Sequence, residues 1–210
     1  MGLLSTLFLL VLEILIAATI WNYYENRTSP RTEKYLTFAP RFWTGWVDGC
    51  VLWPVGFCTT LLFKVVHGPS GAVAIVVGKN LVVLFYTVIM HARLGQTVGK
   101  IGCKVRVVDA ATEGRISFFQ ALIREGIPIA LNLGFAAYAT ALFFSTSASQ
   151  QADPGVMIAK LSSMALLGSV PALWFLVEVV TMFTNEKRRA LHDYIAGTVV
   201  IRTNIDPEHA

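Results

Sequence analysis

Charge is what this chain has least of. Asp, Glu, Lys and Arg make up 14% of its 210 residues, against about 25% in a typical soluble domain. With 55% hydrophobic residues and a mean hydropathy of +0.60, that shortage excludes an ordinary water-soluble fold. Cysteine is also sparse. Cys50, Cys58 and Cys103 show no metal-ligand spacing and no obvious pairing, which argues against a zinc centre or a disulfide scaffold. Cys50 and Cys58 fall in one apolar run and read as small buried hydrophobes. No nucleophile–base pairing and no metal signature is visible, so the chain reads as a non-enzyme without cofactor or metal. The stretch GQTVGK, Gly95 to Lys100, lacks both the Walker spacing and a Ser or Thr after its lysine, so it is not read as a phosphate loop.

Long apolar runs take the place of charge. A spanning helix needs roughly 20 apolar residues, and candidate runs cover 3–24, 42–66, 72–91, 127–145 and 157–184. The expected fold is an all-α polytopic membrane protein with about five transmembrane helices. The first run has no basic residue before it, and Ala17-Ala18 followed by Trp21 makes a poor cleavage site, so it reads as a retained anchor. Glu13 in its middle implies that one side of this helix faces protein.

The few basic residues are unevenly placed. Arg27, Arg31, Lys34 and Arg41 fall between the first two runs. Six more fall between the third and fourth runs, and Lys187, Arg188, Arg189 and Arg202 follow the fifth. The short intervening loops, 67–71 and 146–155, hold no Lys or Arg. The positive-inside rule then places the N-terminus outside and the C-terminus in the cytoplasm of a multi-pass protein in the cytoplasmic (inner) membrane. Trp21, Trp43 and Trp46 suit its cytoplasmic interface. Basic residues spread over three loops do not track a phosphate backbone, so the expected surroundings are a lipid bilayer and not nucleic acid.

The second run carries a polar face. Arg41, Gly45, Asp48, Gly49, Leu52 and Gly56 recur at helical spacing on one side. Gly45 and Gly49 form the GxxxG spacing that lets membrane helices approach closely, so another helix is expected to pack there. Asp48 thus faces protein, where an unpaired carboxylate would cost about 2.5–3.5 kcal/mol or more. Arg41 lies about 10.5 Å away along the axis, too far for a direct bond. Lys79 in the third run and Glu178 in the fifth also need partners, and Lys79 is open to pairing with Asp48, Glu178 or Glu13. Two readings stay open for these charges: buried pairs that lock helix register, or a proton- or ion-linked pathway.

The remaining segments are polar and short. Gly95 and Gly99 break the helix after His91, and 104–109 reads as a strand ending in a turn. Ser117 is a plausible N-cap for an interfacial helix over 118–125. The segment after the fifth run reads as a helical continuation with Gly197 as its C-cap. Residues 105–108 and 199–201 are expected to pair as a small cytoplasmic β-ribbon, drawing Asp193 toward Arg41. His91 and His192 read as single surface residues.

These segments together resemble the RDD family of membrane proteins, named for one arginine and two aspartates. APRFWTGWVDG supplies Arg41 and Asp48, RRALHDYIAGTVVI supplies Asp193, and LGQTVGKIGCKVRVVD followed by GRISFFQALIRE resembles the family's loop. The resemblance implies an RDD-like membrane domain over 39–203, preceded by an additional helix within 1–30 and followed by a flexible tail over 204–210. It also implies a link to transport, with sodium–proton exchange attributed to some members. A monovalent cation or a proton is then the candidate cargo, Asp48 the candidate exchange site, and Arg41 and Asp193 its entrance. The competing reading is a non-transporting scaffold, a homo-oligomer or the assembly partner of another membrane protein, in which Arg41, Asp48 and Asp193 form a structural lock.

Overall fold

Without water to satisfy the main chain, apolar runs of this length must close their hydrogen bonds internally, and they do so as helices. The computed structural model describes residues 3–144 and 153–206. Five long helices dominate: α1 (Leu3–Glu25), α2 (Phe38–Val65), α3 (Pro69–Leu94), α5 (Phe118–Phe144) and α6 (Pro154–Phe183). Between and after them lie a single 3-10 turn (Arg31–Glu33), a short α4 (Val98–Gly102), β1 (Val105–Asp109), α7 (Leu191–Ala196) and β2 (Thr198–Arg202). Four of the helices, α1 from Phe8 onward, α2, α3 and α6, are long and apolar enough to cross a membrane. Their surfaces are lipid-like, with Phe8 (68% exposed) and Leu166 (73%) turned outward. This is an all-α polytopic membrane fold with one small β-ribbon.

The expected fourth span lies on α5, which is longer than the sequence suggested. The predicted interfacial helix over 118–125 is not separate. It forms the first turns of α5, which continues through Pro128. Its start is fixed by a reciprocal cap: the Ser117 hydroxyl accepts from Gln120 N at 3.1 Å, and the Gln120 amide oxygen accepts from Ser117 N at 2.9 Å. The helix packs along α3 and carries Pro128, which lacks an N–H, within it. Ser145 and most of the expected loop 146–155 lie outside the described residues.

The buried core sits not among the spans but in a cap at one end of them. β1 and β2 pair antiparallel, Val105 opposite Arg202 and Asp109 opposite Thr198. Such a ribbon is marginal alone, and this one is buried. Val105, Val107 and Val200 join a cluster with Ile20 and Tyr24 of α1, Val47 of α2 and Val88 of α3. The additional helix α1 is therefore part of the same packing. Gly95 ends α3 with φ 70° and Gly197 ends α7 with φ 66°, left-handed caps that glycine adopts without strain. Residues 204–206 are not loose: Ser29 N donates to Asn204 O at 2.9 Å, and Asp206 N donates to Ser29 O at 3.0 Å. Residues 207–210 lie outside the described residues.

Candidate functional site

Asp48 lies in the first half of α2, and the chain brings a ring of donors to it. Its Oδ1 accepts from Tyr86 OH at 2.8 Å and from Gly99 N at 2.8 Å, and its Oδ2 accepts from Thr97 Oγ1 at 2.6 Å. Tyr86 OH in turn accepts from Val98 N at 3.1 Å. Thr97 is the N-cap of α4, and its hydroxyl accepts from Lys100 N. Asp48 is thus the membrane-side anchor of α4, stabilised by helix N–H groups and their partial positive charge. Gly99 is required by this approach. A Cβ there would collide with the Thr44 carbonyl and lie 2.8 Å from Asp48 Cγ.

Arg41 and Asp48 do not bond directly, as their spacing implied, and they share no third group among the described residues. Arg41, in the first turn of α2, reaches away to Asp193, with Nη2 to Oδ2 at 2.5 Å. Arg124 of α5 holds the other oxygen, Nη1 to Oδ1 at 2.7 Å. Asp193 is fully buried. It also accepts from Ala190 N at 3.1 Å and from Thr198 Oγ1 at 3.2 Å. Burial pushes its carboxyl up, but the Arg124 and Arg41 guanidiniums outweigh that and hold it well below the usual carboxylate range. One carboxylate therefore ties α2, α5, α7 and β2 together.

Glu178 and His192 extend this network toward the spans. His192 Nδ1 lies 2.5 Å from Glu178 Oε2, and His192 N donates to Glu178 Oε1 at 3.2 Å. On the other side of the ring, Nε2 faces Arg124 Nη2 at 3.2 Å and Arg41 Nη2 at 3.4 Å. Guanidinium groups only donate, so Nε2 is the acceptor for both arginines. A cavity of about 250 Å³ opens beside the pair, walled by Phe38, Phe42, Trp174 and Phe175. A second carboxylate–imidazole pair, Glu125 Oε1 to His91 Nδ1 at 3.1 Å, flanks Arg124. Lys100 of α4 lies within the field of these groups. Burial and the nearby Arg124 lower its amine from the ordinary value, against the pull of Glu125 and Asp48.

Lys79 joins neither network. With Glu13 and Gly49 it lines a separate groove of about 760 Å³ between α1, α2 and α3. None of the three expected pairings of Lys79 is formed among the described residues. The packing predicted for Gly45 and Gly49 is also absent there: a Cβ at either position would meet nothing within 4 Å. The face that was to receive a helix is open.

The RDD family model matches residues 35–197, most of the chain. The chain belongs to the RDD family. No curated protein and no solved structure matches it. Within this RDD protein the arginine and the second aspartate meet as expected, while the first aspartate serves a different element. His91 and His192 are not surface residues; they are the partners of Glu125 and Glu178. Arg124, Glu125, Tyr86, Thr97 and Lys100 went unnoticed as site residues. Their one signal was position: Arg124-Glu125 directly precedes an apolar run, and Thr97 stands where an N-cap would.

Proposed function

We propose that this integral membrane protein is transport-related, with Glu178 and His192 as a proton-binding pair coupled to movement of a monovalent cation. The observation that carries this reading is the 2.5 Å carboxylate–imidazole contact at the wall of a cavity. A proton added to Glu178 removes the negative charge that holds the His192 ring against it, and a turn of the ring withdraws Nε2 from Arg41 and Arg124. Proton uptake thereby loosens the contact between the spans and the cytoplasmic cap, which is the two-state element that alternating exposure needs. Asp48 supports no cargo role in this reading, because three protein donors already fill it. No catalytic step is assigned. The orientation that fits the placement of the basic residues is N-terminus outside and C-terminus in the cytoplasm of the cytoplasmic membrane, with the cap on the cytoplasmic side.

The test is proton flux in sealed vesicles driven by a sodium or potassium gradient and read with a pH-sensitive dye. The wild-type protein is expected to move protons, and Glu178→Gln to lose at least tenfold of that rate. No flux from the wild type, or an unchanged rate in Glu178→Gln, overturns the proposal.

A second reading, a membrane scaffold, is favoured by the open face at Gly45 and Gly49. Here a Gly45→Leu/Gly49→Leu variant is expected to lose recovery of a defined oligomer or partner from native membranes. Unchanged recovery removes that support.

A further inference from the structure

The groove between α1, α2 and α3 holds opposite charges that do not meet each other. Glu13 enters from α1 and Lys79 from α3, with Lys64 near the end of α2. No ion pair joins any of the three, and no side-chain partner is found for Lys64 or Lys79 among the described residues. Both charges lie well inside their helices: Lys79 ten residues into α3, about 15 Å from Pro69, and Glu13 level with Cys50 of α2. At that depth an unpaired charge costs several kcal/mol, about 2.5–3.5 for lysine on insertion scales. Apart from Thr60 the remainder of the lining is apolar and includes Leu52, Trp53, Phe57 and Leu61. α1 is fastened to the groove where Cys50 Sγ donates to Glu13 O at 3.5 Å.

We infer that this groove is a binding site for an amine-bearing phospholipid. The volume of about 760 Å³ suits one ligand rather than a helix; small-molecule sites fall at about 300–1,000 Å³. A ligand with both charges completes both orphan sides at once. Its ammonium donates to the Glu13 carboxylate, its phosphate accepts from Lys79 and Lys64, and its acyl chains cover the aromatic and leucine lining. A single-sign ligand leaves one of the groove's charges unmatched. A quaternary ammonium head has the charge but no N–H to donate, so the site should discriminate among lipids by that hydrogen bond. This site lies further along α2 than the proton pair and shares no lining residue with its cavity.

Native mass spectrometry of the full chain, released from micelles with equal phosphatidylethanolamine, phosphatidylcholine and phosphatidylglycerol, tests the assignment. Phosphatidylethanolamine is expected to be retained at least tenfold over the other two. Glu13→Gln should bring its ratio to phosphatidylcholine close to one, and Lys79→Gln should reduce retention of every phospholipid. Gly56→Leu fills the groove from its floor, where a Cβ meets nothing within 4 Å, and should abolish retention while leaving the thermal midpoint unchanged. That variant keeps the test valid if a charge variant fails to fold. Equal retention of the three lipids by the wild type overturns the inference. So does selectivity that survives Glu13→Gln, or retention that survives Gly56→Leu in folded protein.

Discussion

At the scale of single residues, two glycine types on one chain have opposite demands. Gly99 leaves no room for a methyl group, because Thr44 O and Asp48 occupy the space. Gly45 and Gly49 leave all of it. Gly99→Ala is expected to destabilise the protein by about 1–3 kcal/mol through overpacking. Gly45→Ala should change stability by no more than about 1 kcal/mol, and in the favourable direction, since alanine loses less backbone freedom in a helix. Thermal unfolding in one detergent, with both variants beside the wild type, checks the contrast; equal loss at the two sites would contradict it. The face of Asp48 was legible in the sequence, because helical spacing alone put it with Arg41, Gly45 and Gly49. Its partners were not. Thr97 and Gly99 are 49 and 51 residues further along, and no local pattern announces a loop folding back into the end of a bundle. The GxxxG spacing signalled close packing, but spacing does not say that the partner belongs to the same chain.

At the scale of elements, α4 is the dependent one. A helix of five residues has no stability of its own. Its N–H groups are anchored by Asp48 and Tyr86, and its end packs where Gly102 lies under Trp21. In Asp48→Asn a single amide oxygen must serve three donors, and its new N–H groups face donors. The loss of charge-assisted bonds predicts a cost of about 2–3 kcal/mol. Tyr86→Phe should cost about 0.5–1.5 kcal/mol. Chemical unfolding reads both, and hydrogen exchange should show 97–102 as the segment that opens first. Proton flux per folded molecule should remain in Asp48→Asn; its loss would restore Asp48 as an exchange site. The long helices and the ribbon were readable because apolar runs and alternating valines report them directly. The start of α5 reads in sequence as a separate interfacial helix because its aromatic and basic faces differ from the apolar run after it, whereas the two form one helix that packs along α3.

At the scale of the whole molecule, the spans and the cap are joined through carboxylates with different exposure, and acid should separate them. Asp109 lies at the end of β1, where Thr112 N, the Gln120 side chain and Ala111 N donate to it and bring its carboxyl down to about 2. Asp193 is held lower still, because burial is outweighed by two guanidiniums. A carboxyl whose folded value is depressed adds stability that is complete above its unfolded value, about 4, and lost as pH falls through the folded value. The Asp109–Gly114 turn should therefore release as pH approaches 2, while Asp193 still binds Arg41 and Arg124. Hydrogen exchange on a descending pH series checks the order: protection at 109–114 should fall before protection at 190–198. The reverse order would mean that Asp193 gains its proton first and that its arginines do not set its charge. Asp193→Asn makes the same point at neutral pH. It leaves two guanidiniums facing an uncharged group, and removing one partner of a buried pair costs about 3–5 kcal/mol. The cap of Asp193→Asn should accordingly exchange at pH 7 as the wild type does only in strong acid, with the spans still helical by circular dichroism.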